Sequence, residues 1–261
     1  MDQLLMSLSL SVVIPTRNEE DNAHNLVSQL SQVLAGIESE VIFVDDSDDS
    51  TPAVIEDSAR ATALAVRVVR REGAERRGGL STAVVEGIKA ASGQYVLIMD
   101  ADLQHPTDMI PLLLARAQEA DADIVIASRN VPGGSDAGLG SPSRRVISWG
   151  AKWMVKVLFF RTLRRVSDPL SGYFIAKRDV LVDASLRPMG FKILLDVLVR
   201  ADHSLVEELP LKFAPRAGGA SKATLGQGRQ FLTHVATLFW ARWTDSDVRR
   251  RRGVIKRQRK A

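Results

Sequence analysis

Five short apolar runs alternate with segments of helical periodicity along the first half of the chain. Each run is continuous and bounded by charged or turn-forming residues, which is typical of a strand buried on both faces. Such alternation predicts an α/β fold, with a Rossmann-like, mostly parallel sheet covered by helices on both faces. The predicted strands are Leu10–Ile14 (ended by Pro15), Glu40–Asp45, Val66–Val69, Tyr95–Met99 and Asp123–Ser128.

Length and composition fit one large domain and exclude several chemistries. The 261 residues are 45% hydrophobic and contain no cysteine. Disulfides, thiolate catalysis and cysteine-ligated zinc are therefore excluded. Apolar runs of about 18 residues are missing, so we expect no transmembrane helix.

The basic character of the chain is concentrated at its end. Residues 249–261 hold eight of the 35 Lys and Arg and no acid, leaving 27 basic against 31 acidic groups in residues 1–248. Because the remainder is net acidic, we expect no nucleic-acid partner. The tail favours an anionic membrane surface, and a disordered or weakly nucleic-acid-binding tail is the alternative.

Two carboxylates follow the Tyr95 run at a spacing of i, i+2. Asp100 and Asp102 would lie at the C-terminal edge of the sheet, where open α/β sheets bind ligands. With the amide oxygen of Gln104 they suit a hard divalent cation, Mg²⁺ or Mn²⁺, which commonly binds substrate phosphates. The alternative is that Asp102 caps the next helix and Asp100 caps a loop.

Missing glycine motifs narrow the ligand class. The first strand is not followed by G-x-G-x-x-G, and no Walker-type Gly-Lys-Ser/Thr occurs, which argues against a dinucleotide enzyme or a P-loop NTPase. Acids also follow the second strand, where a carboxylate can accept hydrogen bonds from a base or a ribose. These features favour a nucleotide held by its base and by a metal.

Seven motifs occur in the order found in one enzyme family. They are Ser11–Glu19, Val44–Thr51, Gly79–Val84, Asp100–Pro106, Ser128–Arg129, Asp168–Phe174 and Pro215–Lys222. With them the chain resembles family 2 glycosyltransferases of the GT-A fold, and dolichol- or polyprenol-phosphate mannose synthases in particular. Ser47 and Ser50 stand where the family more often has glycine, so we expect altered loop geometry there.

The resemblance implies a reaction, the transfer of mannose from GDP-mannose to a polyprenyl phosphate with inversion. An acceptor phosphate is already anionic, so catalysis would consist of positioning and charge neutralisation. Two alternatives stay open, a glucosyltransferase that uses UDP-glucose and a non-catalytic GT-A-like subunit that recruits a membrane partner. The intact Asp100, Asp102 and Gln104 argue against the second.

The resemblance also implies roles for single side chains. Asp102 and Gln104 would hold the metal. Catalysis is assigned to Asp100, Asp102, Arg129 and Arg144, and the acceptor phosphate to Arg129, Arg144 and Ser148. The sugar nucleotide is assigned to Pro15, Arg17, Glu19, Asp46, Asp100, Ala101, Arg216 and Lys222, with Ser221 beside the last two. The alternatives are structural: solvated arginines, a solvated loop, a strand end at Pro15 and a helix start at Glu19.

All four tryptophans lie in two apolar segments, 144–160 and 225–243. Tryptophan-rich amphipathic helices with lysines, here Lys152 and Lys156, favour a membrane interface, and packing against the sheet is the alternative.

We therefore expect a peripheral protein on the cytoplasmic face of a membrane, with a possible membrane-protein partner. Its predicted parts are a GT-A domain at 1–223 with an interfacial helix at about 144–160, an amphipathic interface helix at 224–244 and a basic tail at 245–261.

Overall fold

Strands and helices alternate through the residues that the computed structural model describes. These are 9–139, 142–187, 189–190, 192–214 and 225–244, without the side chains of 139, 142–144, 225–227 and 242–243. The strands are β1 (Leu10–Thr16), β2 (Ser39–Asp45), β3 (Ala65–Arg70), β4 (Tyr95–Ile98), β5 (Ile124–Ser128), β6 (Phe174–Lys177) and β7 (Val206–Pro210). The helices are α1 (Glu20–Val33), α2 (Thr51–Arg60), α3 (Leu80–Ala90), α4 (Met109–Glu119), α5 (Pro142–Leu158), α6 (Phe160–Leu163), α7 (Arg178–Val182), α8 (Ile193–Arg200) and α9 (Leu225–Thr244).

The strands form one mixed sheet of order β3-β2-β1-β4-β6-β5-β7 within the described residues. All neighbours pair in parallel except β6, which runs antiparallel between β4 and β5. The N-terminal end of β6 therefore lies at the edge where β4 and β5 have their C-terminal ends. That edge receives the loops after the parallel strands and also the turn before β6.

Helices cover both faces of the sheet, as the sequence predicts. Phe43 packs on one side with Leu26 of α1 and residues of α2 and α4. Val44, its neighbour, packs on the other side with Val84 of α3 and residues of α5, α6, α8 and α9. Because both faces are buried, each strand is a continuous apolar run and not an alternating one.

Strand β1 continues past Pro15, where the sequence predicts its end. Pro15 stays in register with β2, and β1 ends at Thr16. Pairing with β4 stops at Val13 and Ile98. The carbonyl of Thr16 accepts a bond from the β2 side, so the nitrogen of Pro15 faces the side where β4 has already ended. The missing N–H therefore costs no ladder hydrogen bond.

Helices α5 and α9 bury one side and expose large apolar residues on the other. Val155 and Leu238 are fully buried, whereas Trp153 is 61% and Trp240 66% exposed. Packing on the sheet thus explains the apolar residues on only one side of each helix. In the described part of the chain, none of the helices has the length and apolarity needed to cross a bilayer.

Candidate active site

Two consecutive acids lie at the end of β2, Asp45 as its last residue and Asp46 directly after it, and the structure gives them different partners. The carboxylate of Asp45 accepts hydrogen bonds from the hydroxyls of Thr16 (2.8 Å) and Ser47 (2.6 Å) and from the Ser47 N–H (3.1 Å). Asp45 therefore holds the loop after β2. Asp46, which was predicted to bind the nucleotide, forms a buried ion pair with Arg71.

Arg71 follows β3 and was not among the predicted site residues. Its Nε donates to Asp46 Oδ1 at 2.8 Å, and its Nη2 donates to Oδ2 at 2.5 Å. Nη1 donates to the hydroxyl of Thr82 in the first turn of α3 at 2.9 Å. The planar guanidinium thus orients the Asp46 carboxylate against α3. Its place directly after a strand beside β2 was the available sequence signal.

The loop between β1 and α1 carries the other residues predicted to bind the nucleotide. Pro15 is buried, whereas Arg17 is exposed and has its Nη2 3.9 Å from the Asp48 carboxylate. Glu19 precedes α1 without capping its backbone, and its Oε2 accepts a hydrogen bond from Asn22 Nδ2 at 2.9 Å. The side chain of Glu19 thus contacts the first turn of α1.

Ser47 links this loop to the loop after β2. Its hydroxyl accepts a hydrogen bond from the N–H of Asn18 at 2.8 Å while donating to Asp45. Asn18 adopts a φ of 51° and accepts a bond from the Asp48 N–H at 2.9 Å. A glycine at position 47 would lack this hydroxyl, so the serine adds a contact between the loops.

The Asp100–Pro106 segment leaves β4 as a turn with a strained residue at its centre. Leu103 has a φ of 60°, a left-handed conformation that costs about 1–2 kcal/mol for a side chain with a Cβ. The Gln104 N–H donates to Asp102 Oδ1 at 3.2 Å. Helix α4 begins well after Asp102 and has Asp108 before its first residue, so the alternative that Asp102 caps this helix is wrong.

Gln104 is held so that its amide oxygen is directed away from its anchors. Nε2 donates to the backbone carbonyls of Gly138 (3.2 Å) and Ala214 (3.0 Å). Two carbonyl acceptors identify that end as the NH₂ group. A carboxylate and an amide oxygen suit a hard divalent cation, so Asp102 and Gln104 fit the predicted metal.

His105 is buried next to Asp100 and was not a predicted site residue. Its Nδ1 accepts a hydrogen bond from the Asp100 N–H at 3.0 Å, so the proton of the neutral ring is on Nε2, which is 3.8 Å from Asp100 Oδ2. Burial lowers the pKa of His105, against the opposing charge of Asp100. The ring stacks on Tyr173 at 4.8 Å between centroids, and the Tyr173 hydroxyl donates to Pro106 O at 3.0 Å. His105 therefore positions Asp100.

Arg129 follows β5, as predicted, but its guanidinium is paired. Its Nε and Nη2 donate to the two oxygens of Asp168 at 2.8 and 2.9 Å. The side chain is 11% exposed, so the alternative of a solvated surface arginine is wrong. Burial alone would raise the pKa of Asp168, but the hydrogen bonds and charge of Arg129 outweigh burial and lower this pKa below its ordinary value.

The reversed strand β6 brings Asp168 to this edge, because the turn before β6 lies beside the ends of β4 and β5. Glu208 of β7 holds the turn by accepting the N–H groups of Ser167 (2.8 Å) and Asp168 (3.0 Å). Gly172 lies against the other acid, since a Cβ added there would be 3.2 Å from Asp100 Oδ2. One turn therefore contacts both Arg129 and Asp100.

Lys192 adds a second cation that was not predicted. Its Nζ donates to the carbonyl of Leu170, in the same turn, at 2.9 Å. Burial and the charge of Arg129 lower the pKa of Lys192 to about 8, against the opposing charges of Asp100 and Asp168. At neutral pH the site thus holds two cations next to two carboxylates, which suits an anionic substrate group. Only the packing of α8 places Lys192 here.

Of the other predicted residues, two are described and the rest lie outside the described residues or lack a described side chain. Ala101 is buried between the two acids, and Ser148 is partly buried on α5. Outside the description are the side chains of Arg144 and Trp243, the residues Arg216, Ser221 and Lys222, and the tail 245–261.

The segment that builds this site matches a known family. The sequence model of glycosyl transferase family 2 matches residues 11–183, which span β1 to β6. The chain belongs to glycosyl transferase family 2. Membership confirms the resemblance predicted from the seven motifs.

Two relatives of this family 2 glycosyltransferase share its sequence over most of its length. The dolichol-phosphate mannosyltransferase of Pyrococcus furiosus is 38% identical over 232 residues, 88% of this chain and 64% of the relative, so the chain spans less than two thirds of that protein. The dolichol-phosphate mannosyltransferase of Saccharomyces cerevisiae is 33% identical over 248 residues, 90% of this chain and 88% of the relative.

Solved structures share the fold. The glucosyl-3-phosphoglycerate synthase of Mycobacterium tuberculosis superposes with a TM-score of 0.66 at 22% identity, over 88% of this chain and 80% of that chain. A complex of that enzyme with Mn²⁺, UDP-glucose and glycerol 3-phosphate gives a TM-score of 0.65 at 20% identity, over 90% of this chain and 79% of that chain. These matches confirm the predicted GT-A type of α/β fold.

Proposed function

We propose that this family 2 glycosyltransferase transfers mannose from GDP-mannose to a polyprenyl phosphate, with inversion at the anomeric carbon. The observation that carries the proposal is the 38% identity, over 88% of the chain, with a protein named dolichol-phosphate mannosyltransferase. That name states a mannosyl group and a lipid phosphate. The site supports it, because separate groups are available for a nucleotide and for an acceptor phosphate.

The donor would lie between the loops after β1, β2 and β4. Asp46 would accept hydrogen bonds from the base or ribose, with Arg71 holding its carboxylate in one orientation. Asp102 and Gln104 would hold Mg²⁺ or Mn²⁺, which neutralises the diphosphate leaving group when bound. By the resemblance, Pro15, Arg17, Glu19, Asp100, Ala101, Arg216 and Lys222 complete the donor site.

The acceptor phosphate would approach the cations at the ends of β5 and α8. Arg129 and Lys192 would attract it, and by the resemblance Arg144 and Ser148 contribute from α5. A phosphate oxygen forms the new bond to the anomeric carbon on the face opposite the diphosphate, and the old bond's electron pair leaves with the diphosphate. The configuration inverts, and no side chain needs to accept a proton because the acceptor is already anionic.

The exposed faces of α5 and α9 would rest on the membrane that contains the acceptor. Trp149, Trp153 and Trp240 are all at least 60% exposed, and tryptophan is enriched at bilayer interfaces. We propose a peripheral location on the cytoplasmic face, with residues 224–244 as an interface helix and the basic tail 245–261 adding attraction to anionic lipids.

The test is an assay with two donors and one acceptor. The purified full chain is incubated with a polyprenyl phosphate, GDP-mannose or UDP-glucose, and Mg²⁺ or Mn²⁺, and the lipid product is identified by mass. We expect a hexosyl-lipid from GDP-mannose alone, dependent on the metal and cleaved by a β-specific mannosidase. If only UDP-glucose gives a product, the donor in the proposal is wrong and UDP-glucose takes its place. If neither donor gives a product, the proposal is contradicted.

A further inference from the structure

A cavity of about 440 Å³ opens beside the active site, between α5, the start of α6 and two loop residues. Its polar wall contains Asn130, Lys152, Lys156 and Ser167. The volume is in the range of sites that hold small molecules. The roles predicted from the sequence or proposed above assign no ligand to this cavity, although Lys152, Trp153 and Lys156 also belong to the helix proposed to face the membrane.

The polar wall is continuous with the ion pair of the active site. Asn130 directly follows Arg129, and Ser167 directly precedes Asp168. The Nζ of Lys152 donates to Asn130 Oδ1 at 2.8 Å. The charges of both Arg129 and Asp168 act on Lys152, so the cavity lies close to this pair.

Two lysines give the cavity positive charge, which Asp168 and Asp136, among the described residues, offset only through space. In the described part of the chain, no carboxylate forms an ion pair with Lys152 or Lys156, which lie one turn apart on α5. Burial lowers the pKa of Lys152; Asp168 opposes this effect, and the charges of Lys156 and Arg129 add to it. An anion in the cavity would relieve the repulsion between these cations. It would also accept hydrogen bonds from the ammonium N–H groups that are still available.

The opposite wall is apolar and reaches the exposed face of α5 and α6. Trp153 is 61%, Val157 54% and Phe160 65% exposed, and all three line the cavity. The cavity therefore brings the lysines and the apolar side chains of α5 together. The combination selects an amphiphile with an anionic head and an apolar chain, and not a free inorganic ion.

We propose that this cavity receives the acceptor lipid, with Lys152 and Lys156 binding its phosphate and with Trp153, Val157 and Phe160 contacting its first isoprene units. The identity of the lipid rests on the proposed function. The lysines act as positioning residues that deliver the phosphate to Arg129. They extend the i, i+4 row of α5 that begins with the predicted acceptor residues Arg144 and Ser148.

The first experiment measures binding without a donor, so that it does not depend on transfer. The full chain is titrated calorimetrically with farnesyl phosphate, farnesol or inorganic phosphate, below the micelle concentration of the lipids. We expect farnesyl phosphate to bind at least about tenfold tighter than either fragment, since both walls then contribute. Equal affinity for inorganic phosphate and farnesyl phosphate would overturn the apolar half of the proposal.

Two variants assign the binding to the walls. Lys152→Gln with Lys156→Gln should weaken farnesyl phosphate binding about tenfold or more, while Lys89→Gln, an exposed lysine on α3, should not change it. Val157→Ser with Phe160→Ser should weaken farnesyl phosphate binding and spare inorganic phosphate. The double lysine→arginine variant keeps the charge and should rescue binding, which separates charge loss from misfolding.

Steady-state kinetics separate this proposal from the proposed function. In the double glutamine variant, the KM for polyprenyl phosphate should rise about tenfold while the KM for the donor stays unchanged. Transfer with an unchanged acceptor KM would overturn the cavity proposal and leave the proposed function intact. If the unchanged protein binds farnesyl phosphate but transfers no mannose, and the glutamine variant loses this binding, the cavity proposal stands and the proposed function is overturned.

Discussion

The proposed donor side and the proposed acceptor side of this site are built in different ways. On the donor side, Asp46 and Arg71 are buried and bonded to each other at both carboxylate oxygens. On the acceptor side, Lys152 has no carboxylate partner in the described part of the chain, and Trp153 beside it is largely exposed. A soluble nucleotide must be oriented by groups that are already fixed, whereas a lipid supplies apolar surface of its own. Side chains fixed by hydrogen bonds, such as Asp46 and Arg71, are therefore expected mainly where the protein must orient a soluble nucleotide without help from a membrane.

The buried pair Arg129–Asp168 is the exception on the acceptor side, and removing one partner tests it. Asp168→Ala leaves a buried guanidinium without its carboxylate, so we expect the free energy of unfolding to fall by about 3–5 kcal/mol. Urea denaturation followed by circular dichroism measures this change. Asp57→Ala, which removes an exposed pair with Arg60, is the control and should cost about 1 kcal/mol or less. Equal losses of unfolding free energy in the two variants would contradict the expectation that the buried guanidinium of Arg129 depends on Asp168.

Removing the carboxylate of Asp102 tests the donor side. Asp102→Asn should lower kcat/KM by about 10²–10³-fold, because the proposed metal that would offset the charge of the leaving diphosphate loses an anionic ligand. Asp108→Asn, an exposed neighbour before α4, should retain activity. The assay is mannosyl transfer at saturating metal, with circular dichroism to confirm the fold. Near-normal turnover in Asp102→Asn would contradict the metal role.

Exposed tryptophans test the membrane-facing character of the acceptor side. Trp149→Ser with Trp153→Ser should weaken binding to anionic liposomes about tenfold or more, because two interfacial aromatic anchors are removed. Leu112→Ser, which removes an exposed apolar residue of α4, should leave sedimentation with liposomes unchanged. Unchanged liposome binding in the double tryptophan variant would mean that the interface is not on α5.

The pKa of Lys192 leads us to expect that kcat/KM depends on pH. Its ammonium is charged below its pKa of about 8 and neutral above it, so kcat/KM should fall as pH rises past 8, by about tenfold per pH unit if the cation is required. Lys192→Arg keeps the charge and should remove this alkaline decline, whereas Lys89→Arg should not. A flat profile between pH 7 and 9.5 in the unchanged protein would exclude Lys192 from acceptor attraction.

Local sequence patterns predicted much of the sheet and of its binding edge. The five predicted strands all form, since continuous apolar runs between turn residues suit buried parallel strands. Asp46, Asp100, Asp102 and Arg129 follow strands whose C-terminal ends meet at one edge. Pro15 was wrongly predicted to end β1. The strand tolerates this proline because the neighbouring strand β4 has already ended there, and the residues around Pro15 do not show where β4 ends.

The partners that hold these residues were not predictable in the same way. Asp46 and Arg71 are separated by 25 positions, and Gln104 and Ala214 by 110. Such contacts depend on which strands become neighbours, and periodicity carries no record of that. The positive φ of Leu103 is likewise imposed by the turn, against the preference of leucine itself.

The sequence by itself determined the α/β order, the family and the carboxylates at the strand ends, because these follow from local patterns and short motifs. Only the tertiary structure decided that β6 runs backwards between β4 and β5, which brings Asp168 to Arg129 and Gly172 to Asp100. It also placed Lys192 beside them and opened the cavity beside α5. The physical reason is that strand pairing and helix packing join distant residues, so a site made by such contacts exists only once the chain is folded.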